Sequence, residues 1–421
     1  MKRSFGLPAF GAATALALTL TGCGEPAPAS GGTGGTQAAT TIDGTIGSTF
    51  SGGKPGAASS SEPITIGLIN QEGGQVSNPE VSAAVSAAFA YLNKEQGGIG
   101  GRPLKAEVCK VTSTEESAQQ CAQRFLNNAE IDVILQGGLN VGANAVHQTI
   151  NGAKPVVIMM ANPGPDTTAK NAFAVNPSVV ASLPGVASHA RTKGYRSLGI
   201  VTASDPGSLA IGQTAQKIFN GQGLSSKVTT FPAGTADLTG TYTSALSGKP
   251  DALAPTTVST SDCLASAKAL RSLGTTTPVV ASALCLTEQL KGALGDFPQW
   301  SYESSVLSLF APDDGGQLAF YRAVMAKYAG KDAQLGINAP QAFGAAFLLA
   351  KALNTVGADK VAPEAVSGAL KDYGGGVLLG TPKVAFGSVP GMPTLSGVAD
   401  RFYTYQGGGK WEVGPWQNLP K

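Results

Sequence analysis

The chain has 421 residues, a formal net charge of +2 and 42% hydrophobic residues. A charge this close to neutral, with no basic stripe interleaved with aromatics, argues against a nucleic-acid partner. The length exceeds what one hydrophobic core usually serves, so the globular part is expected to form two domains.

Lys2 and Arg3 give a positive start, and Ala9 to Leu20 form a short apolar run. The run is too short to span a bilayer comfortably and reads as a secretory signal. It ends in Leu20-Thr21-Gly22-Cys23, which looks like a bacterial lipobox, cut before Cys23 with the thiol taking a diacylglyceryl group. The alternative is an ordinary signal with an incidental Cys. Residues 1–22 are therefore expected to be removed, and Cys23 to anchor the chain at the extracytoplasmic face of the cell membrane. Gly24 to Glu62 hold almost nothing but Gly, Ser, Thr, Ala and Pro. Such a composition buries too little apolar surface to offset the entropy of ordering, so 23–62 is expected to be a flexible tether. No later stretch is long and apolar enough to be a transmembrane helix.

From Pro63 onward the pattern is globular. Ile64–Ile69 reads as a strand; Pro79 opens a helix to about Gln96, with Val81, Val85, Ala88, Phe89 and Leu92 on one face. Strand Leu104–Val111, helix Glu115–Asn128, strand Ile131–Leu135, helix Val141–Asn151 and strand Pro155–Met160 follow. After Asn176-Pro177 the same alternation restarts with helix Val179–Thr192, strand Ser197–Ala203, helix Ser208–Gly221 and strand Lys227–Phe231. Leu253–Val258, Ser261–Leu273 and Pro278–Ala283 continue it, and Tyr302–Phe310 reads as a strand running toward a Pro-Asp-Asp turn. Helices Gln317–Tyr328, Pro340–Leu353 and Pro363–Tyr373 come next, and Lys383–Trp411 reads as antiparallel strands and turns. Strands joined by crossover helices imply parallel sheets covered on both faces. Besides Cys23 there are four cysteines, an even set that suggests disulfides in an exported chain. Of the three possible pairings, the sequence-local one, Cys109–Cys121 with Cys263–Cys285, is expected; each bridge would contribute about 3 kcal/mol by the chain-entropy account. Buried free thiols are the alternative.

The run Asn93-Lys-Glu-Gln-Gly-Gly-Ile-Gly-Gly-Arg-Pro-Leu104 resembles the turn after the first helix of the branched-chain amino-acid-binding family of importer receptors. The Cys109–Cys121 spacing, Pro155-Val156-Val157-Ile158 and the later order of elements agree with that resemblance, which covers Ile64 to about Trp411. It implies a type I periplasmic-binding fold: α/β, with two Rossmann-like lobes of parallel sheet joined by a three-crossing hinge. The amino lobe would be 63–176 plus 313–373, and the carboxyl lobe 177–312 plus 374–421. It further implies an extracytoplasmic binding lipoprotein of an ABC importer. Such a receptor captures an amino acid or related small polar solute between its lobes and hands it to permease subunits, most simply as a monomer. The alternative is a sensing or surface-interaction protein on the same fold, although no signalling domain is attached.

Ligands of open α/β sheets sit beyond the carboxyl ends of the strands. In the first lobe this singles out Asn70 and Gln71, the Gly137–Asn140 loop and the Ala161–Gly164 loop, where Asn140, Asn162 and Gly164 stand beside helix starts or turns. Asn140 could equally be a plain helix cap and Asn162 a turn residue. In the second lobe it singles out Asp205, Ser208, Thr257, Ser259 and Ser282. By the resemblance, amino-acid binders place an aromatic in the first two of these loops and a carboxylate in the third. This chain has neither, which leaves a hydroxyl-lined cleft suited to a neutral or anionic organic solute. No nucleophile elbow, zinc-protease or phosphate-loop motif occurs, and His147 and His189 fall inside predicted helices, so neither an enzyme nor a cofactor or metal is expected.

Overall fold

In the computed structural model, residues 42–73, 77–256, 259–312, 315–329, 338–397 and 399–418 are described. The signal, Cys23, the first part of the tether and Thr257 lie outside them. The first lobe carries α1 (Gly44–Ser51), β1 (Ile64–Gln71), α2 (Pro79–Glu95), β2 (Leu104–Val111), α3 (Glu115–Asn127), β3 (Ile131–Gln136), α4 (Ala143–Ile150), β4 (Val156–Met160), α5 (Pro165–Thr168) and β5 (Ala172–Asn176). Its strands run parallel in the order β2-β1-β3-β4-β5. Every residue of β1 is buried, because helices cover both faces of the sheet. Gly67 lies under the Phe125 ring of α3, where a Cβ would come within 2.7 Å of Cδ2, so the helix can pack this close only over glycine.

The glycine-rich run after α2 is a tight reversal. Gly98 has φ +63°, Ile99 and Arg102 pair as a β-bridge, and the Asn93 side chain bonds both the N–H and the C=O of Leu104 at 2.7 and 2.8 Å. A Cβ on Gly98 would strike the Arg102 carbonyl.

The second lobe carries α6 (Val179–Thr192), β6 (Ser197–Ala203), α7 (Pro206–Gly221), β7 (Ser225–Phe231), α8 (Thr239–Ser247), β8 (Ala252–Pro255), α9 (Thr260–Ser272), β9 (Val280–Ser282), α10 (Glu288–Leu294) and β10 (Ser301–Ser304). The chain then enters α11 (Gln317–Tyr328), α12 (Asn338–Val356) and α13 (Pro363–Lys371), and ends with β11 (Ala399–Gly407), β12 (Lys410–Val413) and β13 (Gln417–Asn418). Strands β7-β6-β8 form one ladder and β9-β10-β11-β12 another, and a Leu253–Val279 bridge joins them at β8 and β9. Only β11 onward is antiparallel. Both disulfides take the local pairing, Cys109–Cys121 and Cys263–Cys285, with Cα separations of 5.6 and 5.4 Å.

Three expectations need correction. Residues 42–62 are not free tether. Asp43 caps α1 by accepting from Thr45 N at 2.8 Å, and Ile42, Ile46 and Phe50 lay a helical stripe on the first-lobe core. Beyond the helix, Lys54, Gly56 and Ala58 donate backbone hydrogen bonds to the end of α2. Three apolar residues at helical spacing suffice, although the average composition of the segment is that of a linker. Second, residues 374–397 belong with the first lobe. Val377, Leu378, Leu379 and Val384 join its core, and Leu395 pairs with Ala174. The third crossing therefore falls near Gly397, not at 374. Third, β10 stops at Ser304. The residues that follow it are the second crossing, where Leu307 N donates to Leu379 O at 2.7 Å. The helices α11 to α13 pack on the first lobe.

The Cys263–Cys285 bridge ties the start of α9 to the turn after β9, across a sequence separation of 22. Replacing both cysteines by Ala should lower unfolding stability by about 3 kcal/mol in denaturant titrations. A loss below about 1 kcal/mol would mean that the bridge adds little beyond the packing around it.

Candidate functional site

A cavity of about 660 Å³ opens between the lobes. The first lobe contributes Glu80 at the start of α2, Met160 at the end of β4, and Pro340 and Gln341 in the first turn of α12. The second contributes Ser282 to Leu284 and Leu286 to Gln289, with Glu303 from β10. Besides Thr260 at the start of α9, crossing segments line the rest, with Pro177, Val179 and Ser182 on one passage of the hinge and Ser304 to Phe310 on another. This volume suits a small organic molecule.

The second-lobe wall is held by local caps. Ser282 Oγ accepts from Leu284 N at 3.2 Å, and Thr287 Oγ1 caps α10 by accepting from Leu290 N at 3.1 Å. The disulfide at Cys285 anchors the turn between them. The hydroxyls of the second crossing are partly committed: Ser304 Oγ donates to Val306 O at 2.8 Å, and Ser308 Oγ accepts from Phe310 N at 3.2 Å.

All three crossings meet at one pair of carboxyls. Antiparallel register sets Glu303 opposite Phe402, so Asp400, two residues before Phe402, points to the same face as Glu303. The two carboxyls hydrogen-bond each other, and Ser182, one turn into α6, donates to Asp400 Oδ1 at 3.4 Å. Asp400 is 0% exposed and Glu303 7%. None of the ion pairs among the described residues includes either. Burial pushes the Glu303 carboxyl up to about 7, against the pull of its bonds to Asp400 and Ser182. Burial, and then the nearby Glu303 charge, hold Asp400 well above the usual carboxylate range.

Of the residues singled out in the sequence, Ser282 lines the cavity and Thr257 lies outside the described residues. The others sit at strand ends as expected, but outside the lining. Asn70 and Gln71 are fully buried. Asn70 Nδ2 donates to Asn78 O at 2.8 Å and its Oδ1 accepts from Gly138 N at 3.2 Å. Gln71 Oε1 accepts from Asn140 N and Val141 N at 2.8 and 3.3 Å, which occupies N–H groups that could have met a ligand. The Asn140 side chain is exposed. Asn162 Nδ2 donates to Leu139 O at 2.6 Å and to Asp166 Oδ2 at 3.1 Å. Asp166 also binds Gln136 at 2.9 Å and His147 at 2.7 Å, so this His is a buried structural residue. Gly164 takes φ +91° ahead of α5. Asp205 and Ser259 are helix caps, accepting from Ser208 N at 3.0 Å and Asp262 N at 3.1 Å. Ser208 is buried, and its carbonyl accepts from Thr202 Oγ1 at 2.9 Å. His189 is buried against Phe402, ring centroids 3.9 Å apart, and burial depresses it to about 4.

Sequence reasoning missed Glu303, Asp400 and Gln341. The available signals were an acid inside the expected strand Tyr302–Phe310 and an amide inside the apolar run Ala339–Ala350. No group of three or more His, Cys, Asp or Glu among the described residues could hold a metal ion. No helix among them is long and apolar enough to cross a membrane.

The model of a family described as periplasmic binding protein matches residues 63–386. The chain belongs to that family. It is accordingly a solute-binding protein and not an enzyme. Solved structures with the same fold include a leucine-binding protein from Thermotoga maritima, with TM-score 0.66 and 16% identity, covering 84% of this chain and 99% of that one. A solute-binding protein of an ABC transporter from R. palustris, in complex with 4-hydroxybenzoate, has TM-score 0.68 and 16% identity, covering 85% and 98%. A fatty acid ABC transporter substrate-binding protein from Thermomonospora curvata has TM-score 0.68 and 16% identity, covering 86% and 94%. No curated protein matches the chain.

The acid pair makes the stability of this binding protein depend on pH. An ordinary Glu releases its proton near 4.5, whereas folded Glu303 holds it up to about 7. The folded form therefore binds more protons in between; the contribution is complete below the lower value and is lost as pH rises through the upper one. Asp400 on β11 titrates together with Glu303, and the Ser182 hydroxyl on α6 faces the pair. The unliganded protein should show a larger difference in melting temperature between about pH 5 and about pH 8 than its Glu303→Gln variant. Equal slopes in the two would assign the dependence to other groups.

Proposed function

We propose that this periplasmic binding protein is the extracytoplasmic, lipid-anchored receptor of an ABC importer. It captures a small solute in the interlobe cavity and delivers it to permease subunits as a monomer. One observation carries the reading: the cavity is walled by both lobes and lined by two of the hinge crossings. A ligand touching both walls binds the closed form better than the open one and so shifts the population toward closure, which is the change a permease can recognise. Ser282, on the second-lobe wall, is the candidate contact among the residues first singled out. The family match supports solute binding. Relatives of the same fold, named for leucine, 4-hydroxybenzoate and fatty acid, support a small organic solute of this general size.

A solute screen by thermal shift, followed by small-angle scattering, tests this. A true ligand at about 100 times its Kd should stabilise the fold by about 2.7 kcal/mol and reduce the radius of gyration. Ser282→Ala should weaken it by about 5-fold or more if the hydroxyl is a contact. A saturating ligand that leaves the radius of gyration unchanged would count against closure.

The membrane anchor is a separate matter, supported by Leu20-Thr21-Gly22-Cys23 behind a short apolar run. In cells, Cys23→Ser should abolish labelling by a fatty-acid analogue and leave unprocessed precursor. Unchanged labelling of that variant would remove Cys23 as the anchor.

A further inference from the structure

We propose that the solute is an amine without a carboxylate, its ammonium head held between Glu303 and Gln341 and its apolar body lying on Met160, Leu284 and Leu307. This inference rests on the interlobe cavity being the ligand site and narrows what that site takes.

The cavity presents hydrogen-bond acceptors from both lobes that lack donors. Gln341 is 6% exposed, lines the cavity, and makes no hydrogen bond among the described residues; its buried Oε1 has no partner. Such an amide is destabilising unless something in the cavity completes it. Across the cavity, Glu303 is as deeply placed, and its partners are another acid, Asp400, and the Ser182 hydroxyl. Asp400 Oδ2, behind it, also has no partner. A Gln amide can be satisfied by a donor or an acceptor, but a carboxyl pair with no cation calls for a donor.

Charge points the same way. Among the described lining residues there is no Lys, Arg or His, whereas Glu80, Glu288 and Glu303 all face the cavity. A carboxylate solute would meet three acids and no counter-charge, contrary to the anionic option raised from the sequence. A neutral solute would leave the buried pair as it is. An ammonium replaces the proton shared by the two acids: that proton leaves to solvent, and charge-assisted hydrogen bonds form in its place. Val179, Leu286 and Pro340 extend the apolar surface of the three residues named above, so part of the ligand can be apolar, while Ser and Thr hydroxyls such as Ser182 and Thr260 share the lining.

The test uses one body with three heads: phenethylamine, 3-phenylpropanoate and 3-phenylpropanol. Each is titrated calorimetrically into the mature chain and its Glu303→Gln and Gln341→Leu variants at about pH 8. The amine should bind, and bind more tightly than the carboxylate or the alcohol by about tenfold or more. Glu303→Gln should lose about tenfold or more of the amine affinity and most of the discrimination between heads. Gln341→Leu, on the other lobe and away from the acid pair, should weaken the amine while keeping discrimination. Preference for the carboxylate or the alcohol, or amine affinity unchanged in Glu303→Gln, would overturn the proposal. If none of the three binds while another solute stabilises and compacts the protein, the amine assignment falls and the receptor reading stands. If the amine binds as described without compaction, the head-group assignment stands and the closure mechanism falls.

Discussion

The pairing of Ser301–Ser304 with Arg401–Thr404 is the joint on which the molecule depends. The two strands are about a hundred residues apart in sequence, yet their ladder lays the second and third crossings side by side. The first crossing reaches the same point through Ser182, whose hydroxyl bonds Asp400. Three passages of chain between two lobes are thus tied at one buried knot made of two acids and a hydroxyl. Leaving such a pair without a cation weakens the fold at neutral pH, because desolvated carboxyls resist sharing the interior as charges. Glu303 of this pair also lines the cavity, so the knot of the hinge and the solute pocket share a residue.

Rigidity and mobility are divided accordingly. Each lobe has its own sheet covered on both faces by apolar clusters, so each can move as a unit. The second-lobe wall of the cavity is stiffened by the Cys263–Cys285 bridge and two hydroxyl caps. The first-lobe wall stands on α12, whose residues from Ala339 to Ala350 are all buried. Closure can then be carried by the crossings, where short segments such as Ser304–Leu307 absorb the change. Helix α1 and the stretch after it are docked on the first lobe, although their composition is that of a linker.

Much of the fold was legible. Strand β2 and helices α6 and α11 occupy the ranges their periodicity implies. The Gly-Gly-Ile-Gly-Gly-Arg turn and both local disulfides also follow from nearby residues. These features are local, and short-range pattern carries them. The failures have long-range causes. Helix α1 rests on three apolar residues within a polar stretch and is held by contacts with a lobe whose last helices come hundreds of residues later. The third crossing was misplaced because Val377–Leu379 reach the first-lobe core without forming a strand. The site was the hardest part. Strand-end logic correctly found polar loops, but Asn70, Gln71 and Asn162 spend their hydrogen bonds on one another's loops. Which strand end faces the cavity depends on how the lobes are set, and that is decided by the β10–β11 pairing.

The most direct test of the account is a crystal structure of the mature chain with a bound solute. The account requires the solute between the lobes, in van der Waals contact with the Ser282–Gln289 wall and with a polar atom within hydrogen-bond distance of Glu303 or Gln341. A solute seated instead at the Asn140, Asn162 and Gly164 loops, with Glu303 and Asp400 still bonded only to each other and Ser182, would contradict it.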